Sequence, residues 1–287
     1  MIDGVCKELN VSVYRAYTAT GLPRSKHYYI SKKDDNAVIE AIQQHIEHHP
    51  THGFPKTFAY LRRDGNAWNH KRVYRVYTLL RFNKRRKGKR RLPQRIKQPI
   101  EPMTQINQSW SIDFMSDSLV SGRKFRTFNV LDDFNREILA IEVAISFPAV
   151  HVIRVLDEII SWRGKPARIR MDNGPEFISK AFEIWCNSKG IELLYIQPGK
   201  PTQNALIERL NGSYRRDVLG AYLFFELHEV KTLTQEWVEE YNQRRPHESL
   251  QNKTPMEWAE LAAQEGGKGR APFLLPETSS INKNCLI

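Results

Sequence analysis

Cysteine is scarce in this chain. Its 287 residues hold three, Cys6, Cys186 and Cys285, far apart and without a CxxC pair. A disulfide scaffold is excluded, and the pattern implies a reducing compartment and no structural zinc. Long apolar runs are also missing, and the few-residue runs present are too short for a transmembrane helix. The opening residues MIDGVCKELN lack the apolar segment of a secretory signal. Neither an internal repeat nor a heptad run is present. What is there is 40% hydrophobic, 10% aromatic and 26% charged, the composition of a chain with a real core rather than of a disordered or collagen-like one. At roughly 100–200 residues per domain, the length allows two domains and a small third.

Charge is unevenly spread. The whole chain carries 44 Lys/Arg against 32 Asp/Glu, a net +12. Residues 1–97 hold 22 Lys/Arg and 7 Asp/Glu, a net +15, while residues 98–287 hold 22 and 25, a net −3. A basic front third joined to a near-neutral remainder is built to attract phosphate backbones. A merely solubilising face is the competing reading, and charge this concentrated disfavours it.

Within residues 8–29 the pattern suggests a partial helix-turn-helix, two short helices about a turn at Gly21-Leu22-Pro23. Val38, Ile39, Ile42 and Ile46 have helical spacing over 36–48, and a short helix near Lys56–Arg63 follows a turn at His52-Gly53. Pro55 suits the first turn of that helix. Asn69 reads as the N-cap of another helix, with Val73, Val76, Tyr77 and Leu80 on its apolar face. Lys71, Arg72 and Arg75 lie off that face, so this helix can pack on one side and touch DNA on the other. Arg81–Lys97 then holds ten Lys/Arg in seventeen residues, including Arg85, Arg86 and Lys87, and reads as a basic arm. His45, His48, His49 and His52 bring to mind zinc, but no cysteine pair completes a site.

The next segment alternates differently. Strands are expected at Trp110–Met115, Phe125–Leu131, Ile138–Val143, Ala167–Met171 and Glu192–Ile196, with helices at Ala149–Arg163, Lys180–Lys189 and from Asn204. The order βββαβαβα predicts an α/β domain with a mixed five-stranded sheet. Further helices are expected at Leu227–Tyr241 and Pro255–Ala263. The division that follows is 1–30, a helix-turn-helix-like segment; 31–90, a helical DNA-binding domain; 91–105, a basic, proline-containing linker; 106–225, the α/β core; 226–265, a helical extension; and 266–287, a loose tail.

Three acids fall where such a core places a site. Asp113 is in the middle of the first strand (WSIDFMSD), Asp172 follows the fourth (RMDNGPEF), and Glu208 opens the helix after the fifth (ALIERLNG). A carboxylate inside an apolar strand is costly unless its charge is compensated. Hard divalent cations take carboxylate oxygens and would compensate it, and two-metal sites place their ions roughly 3.5–4 Å apart. Asp132 and Asp133 form a second acidic pair. They read as a strand cap organising a turn with Asn135 and Arg136, with direct metal contact as the alternative.

Between Asp113 and Asp172 lie 58 residues, and between Asp172 and Glu208 lie 35. With WNHKRVYRVY, NVLDDFNRE, PGKPTQNALIERLNG and YNQRRPHESLQNKTPMEW in this order, the chain resembles the second-reading-frame transposases of bacterial insertion sequences of the "IS three" family. These share a ribonuclease H-like catalytic core with retroviral integrases. The resemblance implies that Asp113, Asp172 and Glu208 are catalytic and bind Mg²⁺, with Mn²⁺ as a substitute and no zinc. It implies that Arg215, seven residues past the glutamate, contacts DNA; on a helix the two share a face about 10 Å apart. Lys200, in the preceding loop, joins the DNA-contact set. The implied activity is metal-dependent cleavage of DNA to free a 3′-OH, followed by attack of that hydroxyl on another phosphodiester. The expected partners are double-stranded DNA, other copies of the chain, and an upstream reading-frame protein fused by frameshifting, whose helix-turn-helix and zipper this chain is expected to lack. The expected place is the bacterial cytoplasm, on the nucleoid. A structure-selective nuclease and a catalytically idle DNA-binding regulator are the alternatives on the same fold.

Overall fold

The computed structural model of the protein describes residues 6, 10–21, 34–83, 103–172, 174, 177–196 and 204–264. The second expected helix of the helix-turn-helix, the basic arm with Arg85, Arg86 and Lys87, the loop with Lys200, and the tail lie outside them.

The first helix, α1 (Val13–Thr20), is set by local chemistry at both ends. The Ser12 side chain accepts from the Arg15 N–H, and Gly21 closes the helix with φ 67°. Three helices follow, α2 (Asn36–His48), α3 (Phe54–Arg63) and α4 (His70–Leu79). They close around Val38, Ile42, Leu61, Val73, Val76 and Tyr77. Asn69 caps α4, its side chain accepting from the Lys71 N–H, and Pro55 lies in the first turn of α3.

The α/β part runs β1 (Ser109–Ser118), β2 (Lys124–Asp132), β3 (Ile138–Ala144), α5 (Ala149–Arg163), β4 (Arg168–Met171), α6 (Lys180–Lys189), β5 (Glu192–Tyr195), α7 (Ala205–Tyr214), α8 (Leu227–Gln243) and α9 (Pro255–Gln264). The sheet order is β3-β2-β1-β4-β5. The β1–β2 and β2–β3 pairs are antiparallel, whereas β1–β4 and β4–β5 are parallel, so the mixed sheet is as expected. After Tyr214 the helix α7 loosens into a π-helical turn, Arg215–Leu219.

Alternation along the strands makes two cores. Trp110, Ile112, Phe128, Val130, Ile169 and Met171 face α5 and α6. Met115, Leu131, Ile138 and Val143 face α7 and α8. Helix α8 is thus half of the second core rather than an appendage, because Val230, Trp237 and Tyr241 on one stripe need the sheet to cover them. Met103, expected in the linker, is buried with Phe134, Leu250 and Trp258. The helical front docks on this body. Thr51 Oγ1 donates to Asp217 at 2.6 Å, and the Arg63 fork donates to both Glu257 oxygens at 2.9 and 2.6 Å.

Candidate active site

Strand β1 is central in the sheet, between β2 and β4. Its even-numbered residues Trp110 and Ile112 enter the core under α5 and α6, which sends Ser111, Asp113 and Met115 to the opposite face, toward α7. Ser111 pairs with Arg170 in the parallel register. Two residues further along, Asp113 and Asp172 stand at equivalent places, on the same face and at the end of β4. Helix α7 crosses above them, with Glu208 in its first turns and exposed.

The electrostatics tie the three together. Burial pushes the Asp113 carboxyl up to about 6, with the charges of Asp172 and Glu208 adding to the rise. The Phe114 N–H at 2.8 Å and the Asn211 amide at 2.7 Å work the other way by donating to its charged form. Asp172 accepts from the Gly174 N–H at 3.0 Å, which folds the chain back just after β4. Among the described residues, none of the three acids forms an ion pair with a cationic side chain. Nor do three His, Cys, Asp or Glu side chains there stand close enough to close around one ion. The acids feel one another's charge without forming a coordination shell. A set of hard oxygens in mutual repulsion, one of them desolvated, is the chemistry that a divalent cation fits.

Two residues that the sequence did not single out complete this arrangement. Asn129 lies directly across from Asp113 on β2. Its amide donates to Asn211 Oδ1 at 2.7 Å, and Asn211 in turn donates to Asp113 Oδ2. Asn211 follows Glu208 by three positions, so both lie on the same side of α7. That spacing in ERLNG was the signal available.

The remaining expected residues divide. Arg215 stands at the end of α7 with Nη1 2.5 Å from Asp117 Oδ2 and Nη2 2.8 Å from the Ser116 carbonyl, so it overhangs the far end of β1. Arg72 and Arg75 both grip Asp35, at 3.0 and 2.6 Å, and these bonds, Arg75's foremost, hold the Asp35 carboxyl below its usual range. Lys71 is exposed beside them. Asp132 and Asp133 serve the turn. Asp132 accepts from the Asn107 and Phe134 N–H groups at 3.0 and 2.9 Å. Asp133 accepts from Ser109 and Ser111 at 2.7 and 2.5 Å and pairs with Arg170 at 3.3 Å. Arg136 donates to the Asp133 carbonyl.

Integrase core domain models match residues 103–201 and 189–255, and an HTH-like domain model matches residues 33–90. An insertion element IS407 protein of 31.7 kDa from Burkholderia multivorans is 35% identical over 278 residues, 96% of this chain and 99% of that one. The chain belongs to the bacterial insertion-sequence transposases of the "IS three" family. An insertion element IS476 protein of Xanthomonas euvesicatoria is likewise 35% identical, over 92% of this chain and 77% of the relative. Among solved structures, the catalytic core of the HTLV-2 integrase, determined in complex with magnesium, is 22% identical and covers 53% of this chain and 95% of its own, with a TM-score of 0.43. The transposase cleaves DNA strands and joins the freed 3′-OH end to a new phosphodiester, whose own P–O bond breaks as the new one forms. Its integrase-type core implies a divalent metal, and its HTH-like and integrase core domains imply DNA binding. Among the described residues no helix is long and apolar enough to cross a membrane.

Proposed function

We propose that Asp113, Asp172 and Glu208 are the catalytic acids of this transposase and that they hold Mg²⁺, with Mn²⁺ as a substitute. The observation that carries the assignment is Asp113, a carboxyl inside a buried strand whose charge is opposed by burial and by the other two acids. Bound there, divalent ions supply charge neutralisation and Lewis acidity at the scissile phosphodiester. The chain's own residues do the positioning. Asn211 and the Phe114 N–H fix both Asp113 oxygens, and the turn at Gly174 aims Asp172 alongside.

DNA is held by Lys71, Arg72 and Arg75 on α4, by Arg85, Arg86 and Lys87 in the basic arm, by Lys200 and by Arg215. Arg72 and Arg75 fit this role while bound to Asp35, because a guanidinium has five N–H donors and Asp35 occupies only some of them. An upstream reading-frame protein, joined by frameshifting, supplies the zipper that the front third does not contain. The element lies on bacterial DNA, which places the protein at the nucleoid.

The test is strand transfer on labelled element ends with Mg²⁺. Asp113→Asn, Asp172→Asn and Glu208→Gln keep shape and lose charge. Each is expected to lower cleavage and joining by at least about 10³-fold, the loss of one essential part of a transition-state clamp, with DNA binding intact. Near-normal activity in any one variant removes that residue from the triad.

A further inference from the structure

A cleft of about 920 Å³ separates helix α3 from helix α7 and from the segment that follows α8. It lies on the other side of α7 from the three acids. Six cationic side chains line it: Lys56, Arg62 and Arg63 on the helical front, and Arg136, Arg209 and Arg245 on the body. Two of the six are neutralised, Arg63 by Glu257 at 2.6 Å and Arg245 by Asp217 at 2.7 Å. Among the described residues the other four form no ion pair. The single carboxylate in the lining among the described residues, Glu248, is exposed.

Four unneutralised cations facing one space repel one another and cost stability unless an anion enters. Lys56 lies deep in the cleft, where burial and then the Arg245 charge hold its ammonium down to about 7, with the Asp217 and Glu240 carboxylates acting the other way. Arg136 is buried and, among the described residues, bonds only the Asp133 carbonyl. His247, also in the lining, keeps its Nε2 buried without a hydrogen bond. The rest of the wall is not polar. Phe58, His70, Leu206 and Tyr241 give it flat and aliphatic faces, and Phe58 meets His70 edge-on at 4.9 Å. Cations beside aromatic faces in one groove are the elements by which proteins hold an unpaired nucleic-acid strand, phosphates on the cations and bases against the rings. A small anion would use the cations and leave the rings idle.

We propose that this cleft binds an unpaired DNA strand, with Lys56, Arg62 and Arg209 taking phosphates and Phe58 taking a base. The inference rests on the transposase reading, and it adds a second nucleic-acid site behind the catalytic helix. Arg209 is next to Glu208 in sequence and turned about 100° from it on the helix. A strand leaving the catalytic face therefore reaches the cleft by passing over α7.

The experiment uses the full chain in EDTA, so that no turnover occurs, and measures fluorescence anisotropy of a labelled single-stranded oligonucleotide and of the matching duplex. Arg209→Glu is expected to weaken single-strand binding about tenfold and to flatten its log–log salt slope by about 0.7, the value for one phosphate contact on a single strand. Phe58→Leu is expected to weaken it roughly fivefold with the slope unchanged, the mark of a lost stacking face. Arg123→Glu, in the exposed β1–β2 turn, makes the same charge change elsewhere and should do neither. Thermal melting of Arg209→Glu, an exposed position, checks that the fold is intact. Equal losses for duplex and single strand would overturn the unpaired-strand assignment. So would oligonucleotide binding unaffected by Arg209→Glu, including the case in which inorganic phosphate alone is found to bind the cleft. Strand transfer by the triad variants is read separately, so an idle cleft and a wrong catalytic assignment give different results.

Discussion

Asp113 shows how much of the proposed catalytic site is decided by two hydrogen bonds. Its carboxylate is desolvated and faces two like charges, so its orientation depends on the donors that reach it. Asn211 supplies one at 2.7 Å, and Asn129 fixes Asn211 from the neighbouring strand at the same distance. On the proposed assignment, Asp113 is a metal ligand oriented from behind. In metal sites, loss of such a supporting partner costs about 10–100-fold in metal affinity. Asn211→Leu, which keeps volume and removes the amide, is expected to raise the divalent-ion concentration for half-maximal strand transfer about tenfold, with most activity recovered at saturating metal. A metal titration of the variant checks this. An unchanged half-saturation would mean that Asp113 is held without Asn211. The three proposed acids stand out in the sequence because an aspartate in an apolar strand is conspicuous and the 35-residue gap is distinctive. Asn129 and Asn211 were not, because a neutral amide in a motif has many local uses and its partner is known only once the helix crosses the sheet.

At the scale of elements, strands and helices followed from periodicity almost to the residue where both ends carried chemical signals. Helix α5 runs from Ala149 to Arg163 and stops before Gly164, and α6 ends at Gly190, which takes φ 66°. The start of the first helix is set by Ser12, whose side chain accepts from the Arg15 N–H. The burial of Met103 and the docking of α8 were illegible in the sequence. Each depends on contacts far along the chain, with Phe134 and Trp258 in one case and with β3 in the other. The π-helical turn after Tyr214 was also invisible, since no sequence period announces it. Gly220 ends it, donating to the Arg215 carbonyl at 2.7 Å. A Cβ at Gly220 would sit 2.9 Å from that same oxygen, and a backbone carbonyl inside a helical turn has little room to yield. Gly220→Ala is therefore expected to destabilise by about 1–3 kcal/mol, the usual cost of forcing an added methyl into a packed place. The expected fall in Tm is several degrees. Because Arg215 lies in this turn, DNA affinity should fall with it. An unaltered Tm would show that the turn relaxes freely.

On the scale of the whole molecule, the helical front and the body are joined by a polar and aromatic seam. Thr51 bonds Asp217, Tyr60 bonds Glu240, and Arg63 forks onto Glu257. His45, His49, His52 and Tyr60 cluster within it, with ring centroids 4.7 to 5.5 Å apart, His49 stacked on His52 and the other pairs tilted, and His45 Nε2 lies 3.2 Å from His52 Nδ1. Burial, and then neighbouring imidazoles, hold His45 down to about 4, while burial foremost holds His49 and His52 below their usual range. These rings stay neutral in the fold and become charged when it opens. The sign follows from proton counting. Between the unfolded value of 6.5 and the folded value of about 4, the unfolded chain binds more protons, so stability is full above 6.5 and is lost as pH falls toward 4. His45 alone accounts for roughly 3 kcal/mol over that range. Other groups titrate nearby. Asp113 and Asp132, both raised to about 6 chiefly by burial, gain protons in the folded state and so oppose the loss. Lys56, held down to about 7, is largely protonated in both states below the window. Asp35, Asp217 and Glu257, which are lowered, act only near and below their ordinary values, at the acid end. The raw curve is a sum of opposing slopes, so the informative quantity is a difference. Urea unfolding of the wild type and of His45→Gln at several pH values between about 7.5 and 4.5, where an imidazole changes charge, isolates one imidazole. The variant is expected to be weaker at every neutral pH, having lost the contact to His52. Its stability should nevertheless decline less steeply with acid, so that the two proteins converge as the pH drops. Parallel curves would show that His45 titrates as freely in the fold as in the open chain, and that the seam is not sealed against protons.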